Sequence, residues 1–127
     1  MVSQPEKLRK KVLLIDGDEL VRTAMVSFLE ARGFELTACE TVREGIEALR
    51  REDFDIILCE QSPPNEDSVE FFNIMRCHPA CKRVLLIGPR EEAHPADVLE
   101  MGADAVIGKP LTAKSVGDCL AQMIEAA

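Results

Sequence analysis

The apolar positions of this chain fall into two rhythms. Three short runs are apolar almost without a break: Lys11-Val12-Leu13-Leu14-Ile15-Asp16, Asp55-Ile56-Ile57-Leu58-Cys59-Glu60 and Val84-Leu85-Leu86-Ile87. Runs of this length predict strands covered on both faces. A fourth, Phe34 to Cys39, alternates apolar and other residues and predicts a less buried strand near a sheet edge. Ala105-Val106-Ile107 makes a short last strand. The flanks of these runs stop them. Gly17 permits a turn after Asp16, and Gln61-Ser62-Pro63-Pro64-Asn65 cannot continue the strand that ends at Glu60. Gly88-Pro89 and Lys109-Pro110 close the other two, because proline lacks the ladder donor.

Between these strands the period changes to that of a helix. Asp18 is placed as an N-cap; Leu20, Val21, Ala24, Met25, Phe28 and Leu29 recur at helical spacing, and Gly33 ends the run. Thr41-Val42-Arg43-Glu44 is a capping box, opening a helix to about Glu52 whose buried stripe is Val42, Ile46 and Leu49. A third helix runs from about Asp67 to Cys77, ended by Pro79. Either Val69, Phe72 and Met75 or Phe71, Ile74 and Met75 face inward. A fourth has Pro95 in its first turn and stops at Gly102. Thr112 caps the last, with Val116, Leu120, Met123 and Ile124 inward. Strand and helix thus alternate five times, which predicts an α/β fold with a parallel sheet between helices.

Length and charge narrow the classes. The 127 residues suit one domain, here residues 11–127 behind a flexible leader, 1–10. No apolar run approaches the ~20 residues of a membrane span, and the N-terminus lacks a signal-peptide core, so a cytoplasmic protein is expected. A net charge of −8 speaks against direct nucleic-acid binding. The basic cluster Lys7, Arg9, Lys10 and Lys11 reads as a solvated leader, with a docking or membrane-surface patch as the sharper alternative. Five cysteines without a secretion signal point to reduced thiols. Cys77-His78-Pro79-Ala80-Cys81 is an incomplete zinc pattern, having no second ligand pair.

The parallel arrangement brings three strand ends to one edge of the sheet, where open α/β folds bind ligands. They carry Asp16 with Asp18 just beyond, Glu60, and Gly88; Lys109 adds an amine from the last strand. Acids and an amine at one edge predict a pocket.

Together, the strand end Leu14-Ile15-Asp16, Asp55 to Glu60, Pro64 four residues on, Gly102-Ala103-Asp104 and Lys109-Pro110 resemble the response-regulator receiver domain. That family is the phosphoacceptor module of two-component signalling. The resemblance spans Lys11 to Ile124 and implies a flavodoxin-like three-layer sandwich: five helices around a five-stranded parallel sheet of order 2-1-3-4-5. In the family an Asp ending the third strand accepts a phosphoryl group. Two acids after the first strand hold Mg²⁺, and a Lys pairs with the phosphoryl oxygens. A Ser or Thr ending the fourth strand and an aromatic residue of the fifth complete the switch.

The departures from that pattern shape the expected function. Glu60 stands at the phosphoacceptor position, Gly17 at the second acid, and Gly88 and Val106 at the switch positions; Asp16, Lys109 and Pro110 keep to the pattern. The extra methylene carries the Glu60 carboxylate about 1.5 Å further out, and a misplacement of that size costs about a hundredfold in rate. Gly88 removes a charge-assisted hydrogen bond worth about 1.5–3 kcal/mol. The resemblance therefore implies a pseudo-receiver: no catalysis, no required cofactor, and at best a weak Mg²⁺ site at Asp16 and Glu60. Glu60 is expected to pair with Lys109, either as a structural ion pair or as a mimic of the phosphoryl group.

The partner implied is a protein: a kinase, an output domain or a second copy. The expected surface is the face of the fourth helix, fifth strand and fifth helix, with Val98, Met101, Val106 and Lys114. A working receiver phosphorylated on an acid of the pocket is one alternative. A small-molecule-binding flavodoxin-like module is another, although Asp16 and Asp18 stand where phosphate-binding loops carry glycines.

Overall fold

The computed structural model describes residues 10–60, 66–88 and 102–125. Five strands form one parallel sheet of order β2-β1-β3-β4-β5: β1 Lys11–Ile15, β2 Glu35–Cys39, β3 Ile56–Glu60, β4 Lys82–Ile87 and β5 Ala105–Gly108. Four helices accompany them among the described residues: α1 Glu19–Ala31, α2 Val42–Arg51, α3 Glu66–Met75 and α4 Ala113–Glu125. The helix expected around Pro95, with Val98 and Met101, falls outside the described residues, so α4 is the fifth helix of the sequence reading. Residues 1–9 of the expected leader, and residues 61–65, also fall outside them.

The continuous apolar runs are central strands because both their faces are covered. Val12 and Leu14 of β1, Ile56 and Leu58 of β3, and Val84 and Leu86 of β4 pack on one side with Met25 and Leu29 of α1 and Val116, Cys119 and Leu120 of α4. Leu13, Ile15 and Ile57 point the other way, against Ile46, Ala48 and Leu49 of α2 and Phe71 and Met75 of α3. Each fully buried Leu or Ile is worth about 1.5–3 kcal/mol relative to exposure. At the edge, β2 buries only Cys39 completely.

The caps form as the residue types require. Asp18 Oδ1 accepts from the Leu20 and Val21 amides at 2.9 and 3.4 Å. Thr41 and Glu44 make the reciprocal capping box. Thr112 Oγ1 accepts from the Ser115 amide at 3.0 Å, opening α4. Gly33 has φ +92° and Gly102 has φ +69°, the left-handed region where a Cβ is strained. Gly45 has another reason: a Cβ there would run into Ile15 Cδ1. Its bare backbone lets α2 lie directly on β1.

Three stripes come out differently from the periodicity. Leu20 is 81% exposed and Ala24 is exposed, because both lie on the flank of α1, beside the stripe of Val21, Met25, Phe28 and Leu29 that packs on the sheet. Ile124, 38% exposed, likewise lies beyond the core at the end of α4. In β2 the inward pattern divides between two faces: Phe34 and Leu36 pack on one cluster and Cys39 on the other, while Ala38 is exposed. For α3 the second of the two candidate stripes holds, with Phe71 and Met75 buried and Ile74 half-buried.

Candidate functional site

The site is built by strand register. Ile15 pairs with Cys59 in the β1–β3 ladder, so Asp16 and Glu60 emerge side by side at the carboxyl edge. Ile87 pairs with Gly108 in the β4–β5 ladder, and the Lys109 amide donates to the Ile87 carbonyl at 2.7 Å. That bond holds Lys109 at the same edge, with β3 and β4 between its strand and that of Asp16. The Lys109–Pro110 peptide that ends this segment is cis.

Asp16 is fully buried and is the only charged residue so described among the described residues. Its amide donates to the Cys39 carbonyl at 3.1 Å, tying it to β2. Its Oδ1 accepts from the Asp18 amide at 2.9 Å. Its Oδ2 faces the Lys109 ammonium at 2.8 Å and has no further hydrogen-bond partner among the described residues. Isolated in the interior, such a carboxylate would cost several kcal/mol; a paired and hydrogen-bonded one is tolerated.

Glu60 takes a different partner from the one its position suggests. Its Oε2 accepts from the Gly17 amide at 2.8 Å and lies 3.8 Å from the Lys109 ammonium. The expected Glu60–Lys109 pair is thus the looser of two contacts; the tight one joins Lys109 to Asp16. The added methylene of Glu60 reaches across to the turn after β1 and stops at its first amide. A Cβ on Gly17 would sit 3.8 Å from that same oxygen, an ordinary contact distance.

The remaining sequence candidates put no side chain into this knot. Asp18 is exposed, and its Oδ1 is engaged at the N-terminus of α1. Gly88 follows β4, half-buried, with no side chain to offer. Val106 pairs with Leu85 across the β4–β5 ladder and is 40% exposed. Lys114 is exposed on α4 and pairs with Asp118 at 3.0 Å. Two participants were not anticipated. The Gly17 amide has no side chain to flag it. Arg22 donates from Nη1 to the Asp16 carbonyl at 2.7 Å; its position one helical turn after Asp18 was the available signal.

Next to Glu60, Cys59 donates from Sγ to the Glu60 carbonyl at 3.5 Å. Burial pushes its thiol up to about 12, and the Glu60 and Asp16 carboxylates add to the shift. A thiol held neutral in this way is a poor nucleophile.

The donor set does not suit the divalent cation that a pocket of this kind takes. Mg²⁺ asks for near-octahedral oxygen contacts at about 2.0–2.1 Å. Here Asp16 Oδ2 faces an ammonium, Glu60 Oε2 an amide, and Asp18 Oδ1 a helix end. Among the described residues no three His, Cys, Asp or Glu side chains converge as a metal-holding group.

Fold and pocket together define a doubly wound α/β signalling module with an acid-and-lysine cleft at its carboxyl edge. Residues 12–120 match the response regulator receiver domain, and the chain belongs to that family of two-component signalling. It is similar to the transcriptional regulatory protein GltR of Pseudomonas aeruginosa, with 26% identity over 84% of this chain and 46% of that protein. It is also similar to the transcriptional regulatory protein SrrA of Staphylococcus aureus, with 24% identity over 86% of this chain and 45% of that protein. The chain thus spans about half the length of these curated relatives. Among solved structures, the CheY-like receiver domain protein from Methanospirillum hungatei superposes with a TM-score of 0.80. Its identity is 23%, over 93% of this chain and 95% of that one. The receiver domain of an HD domain-containing protein from Pseudomonas fluorescens also has a TM-score of 0.80, at 20% identity over 93% and 96% of the two chains. Receiver domains act through contacts with kinases or output domains. No helix among the described residues is long and apolar enough to cross a membrane.

Proposed function

We propose that this receiver domain has kept the fold and lost phosphotransfer, and that it works in the cytoplasm as a protein-binding module rather than as an enzyme. The observation that carries this reading is the bond from the Gly17 amide to Glu60 Oε2, at 2.8 Å. It turns one oxygen of the acceptor-position carboxylate onto the turn after β1. A carboxylate nucleophile needs its attacking oxygen in line with the phosphorus, and a counter-charge on the transferred oxygens. In this pocket the lysine that would supply that charge is drawn to Asp16, and Gly17 and Gly88 supply no side-chain ligand.

A partner kinase, output domain or second copy would then read a surface that phosphorylation does not alter. The face containing Val106 and Lys114 is the expected contact, since Val106 offers an exposed apolar side chain on the last strand.

The test is incubation with a small phosphodonor such as acetyl phosphate in the presence of Mg²⁺, followed by intact mass at neutral pH. A receiver bearing Asp at the acceptor position serves as positive control. No adduct is expected; a stoichiometric, acid-labile phosphoryl adduct on Glu60 or Asp16 would overturn the proposal.

A further inference from the structure

The cleft brings two cations of the chain itself onto Asp16. The Lys109 ammonium lies 2.8 Å from Oδ2, and the Arg22 guanidinium donates to the backbone carbonyl at 2.7 Å. The second acid of the cleft, Glu60, lies 3.8 Å from the same ammonium. The Lys109 side chain is only 16% exposed. A buried carboxylate requires a positive partner, and either a divalent ion or an ammonium answers that requirement. The ammonium has the advantage of being tethered, since binding it sacrifices no translational freedom. An ion seeking Asp16 Oδ2 would have to displace it and would gain no carboxylate from Gly17 in return.

We propose that Lys109, backed by Arg22, stands in for the divalent cation. The folded protein is therefore indifferent to Mg²⁺, and removal of the Lys109 charge converts the cleft into a divalent-cation site. The inference rests on the arrangement around Asp16 and does not depend on phosphotransfer having been lost.

Thermal unfolding of the whole chain, with millimolar Mg²⁺ or Mn²⁺ against a chelator at constant ionic strength, tests both halves. The wild-type midpoint is expected to stay within the reproducibility of the measurement, and titration calorimetry with Mn²⁺ to show no binding heat. Lys109→Met is expected to melt lower with chelator and to rise by about 3 °C or more with metal, as site binding at concentrations well above Kd requires. Lys109→Arg keeps the charge and stays indifferent. Should Lys109→Met not fold, Lys109→Gln carries the same comparison.

A metal-dependent midpoint or binding heat in the wild type would overturn the first half. A folded, charge-neutral variant that gains nothing from metal would overturn the second. The outcome separates cleanly from the phosphodonor experiment. Metal binding without an adduct sinks this inference alone, and an adduct formed without metal sinks only the proposed function.

Discussion

The Gly17 amide and the Glu60 carboxylate, separated by 43 positions in the chain, are joined by a hydrogen bond of 2.8 Å between neighbouring strand ends. The bond exists because the longer side chain of Glu60 carries its carboxylate across to the turn after β1, within reach of the first amide there. Replacing Glu60 by Gln keeps the length but removes the charge assistance. With the side chain 38% exposed, Glu60→Gln is expected to lose at most ~1 kcal/mol. A urea unfolding curve measures this, and a loss above that range would mean that Glu60 has more partners than this amide.

Gly17 offers a way to separate bulk from charge. An added Cβ meets Glu60 Oε2 at 3.8 Å, so Gly17→Ala is expected to change stability by less than ~0.5 kcal/mol. Gly17→Asp brings a third carboxylate toward Asp16 and Glu60, and is expected to destabilise clearly more than the alanine. The excess should shrink as salt is added, because partly exposed like charges are screened. Equal losses for the two variants, or no salt dependence, would refute the electrostatic account.

The Asp16–Lys109 pair is the costly one to break. Asp16 is fully buried and the Lys109 side chain is 16% exposed; removing Lys109 strands the buried carboxylate, and removing Asp16 leaves the ammonium only its looser contact with Glu60. Asp16→Asn is therefore expected to cost about 3–5 kcal/mol. The double variant Asp16→Asn, Lys109→Met is expected to cost less than the sum of the single ones. A double-mutant cycle by chemical denaturation reads the coupling directly, and additivity would show that the two side chains do not interact.

Alkaline pH acts through the thiols. Burial pushes Cys59 and Cys81 up to about 12 from an ordinary 9.0 and raises Cys39 and Cys119 as well. The unfolded chain therefore releases these protons at lower pH than the folded one. Their contribution to stability is complete below about pH 9 and is lost as pH rises toward 12. The melting midpoint is expected to hold up to about pH 8.5 and to decline above it. Exposed Cys77 should react first with a thiol reagent in the native state, half-buried Cys59 more slowly, and buried Cys39, Cys81 and Cys119 only on unfolding. Rapid native labelling of Cys81 or Cys119 would contradict their burial.

Much of this architecture was legible because the parallel sheet is covered on both faces, which writes its central strands as uninterrupted apolar runs. The helix starts were legible too, since Asp18, Thr41 and Thr112 accept hydrogen bonds from amides that any helix leaves open. Periodicity alone fixes neither how wide a buried stripe is nor where it ends, so Leu20 on the flank of α1 and Ile124 near the end of α4 were counted as core although they are exposed. In α3, apolar residues crowd too densely for one stripe to stand out. In the cleft, the sequence identified the three charged residues but not their pairing. Lys109 lies closer to Asp16 than to Glu60 because of strand register and the Gly17 amide, and neither is a property of a side chain.

That same amide doubles as a sensor. The chain has no Trp or Tyr, so indole and phenol optical signals cannot report on the cleft. A backbone proton held by a carboxylate resonates apart from its neighbours, and its position and exchange rate follow the bond that holds it. In isotope-enriched protein, one glycine cross-peak would therefore register events that disturb this bond, such as ion entry or the arrival of a partner, without an added fluorophore.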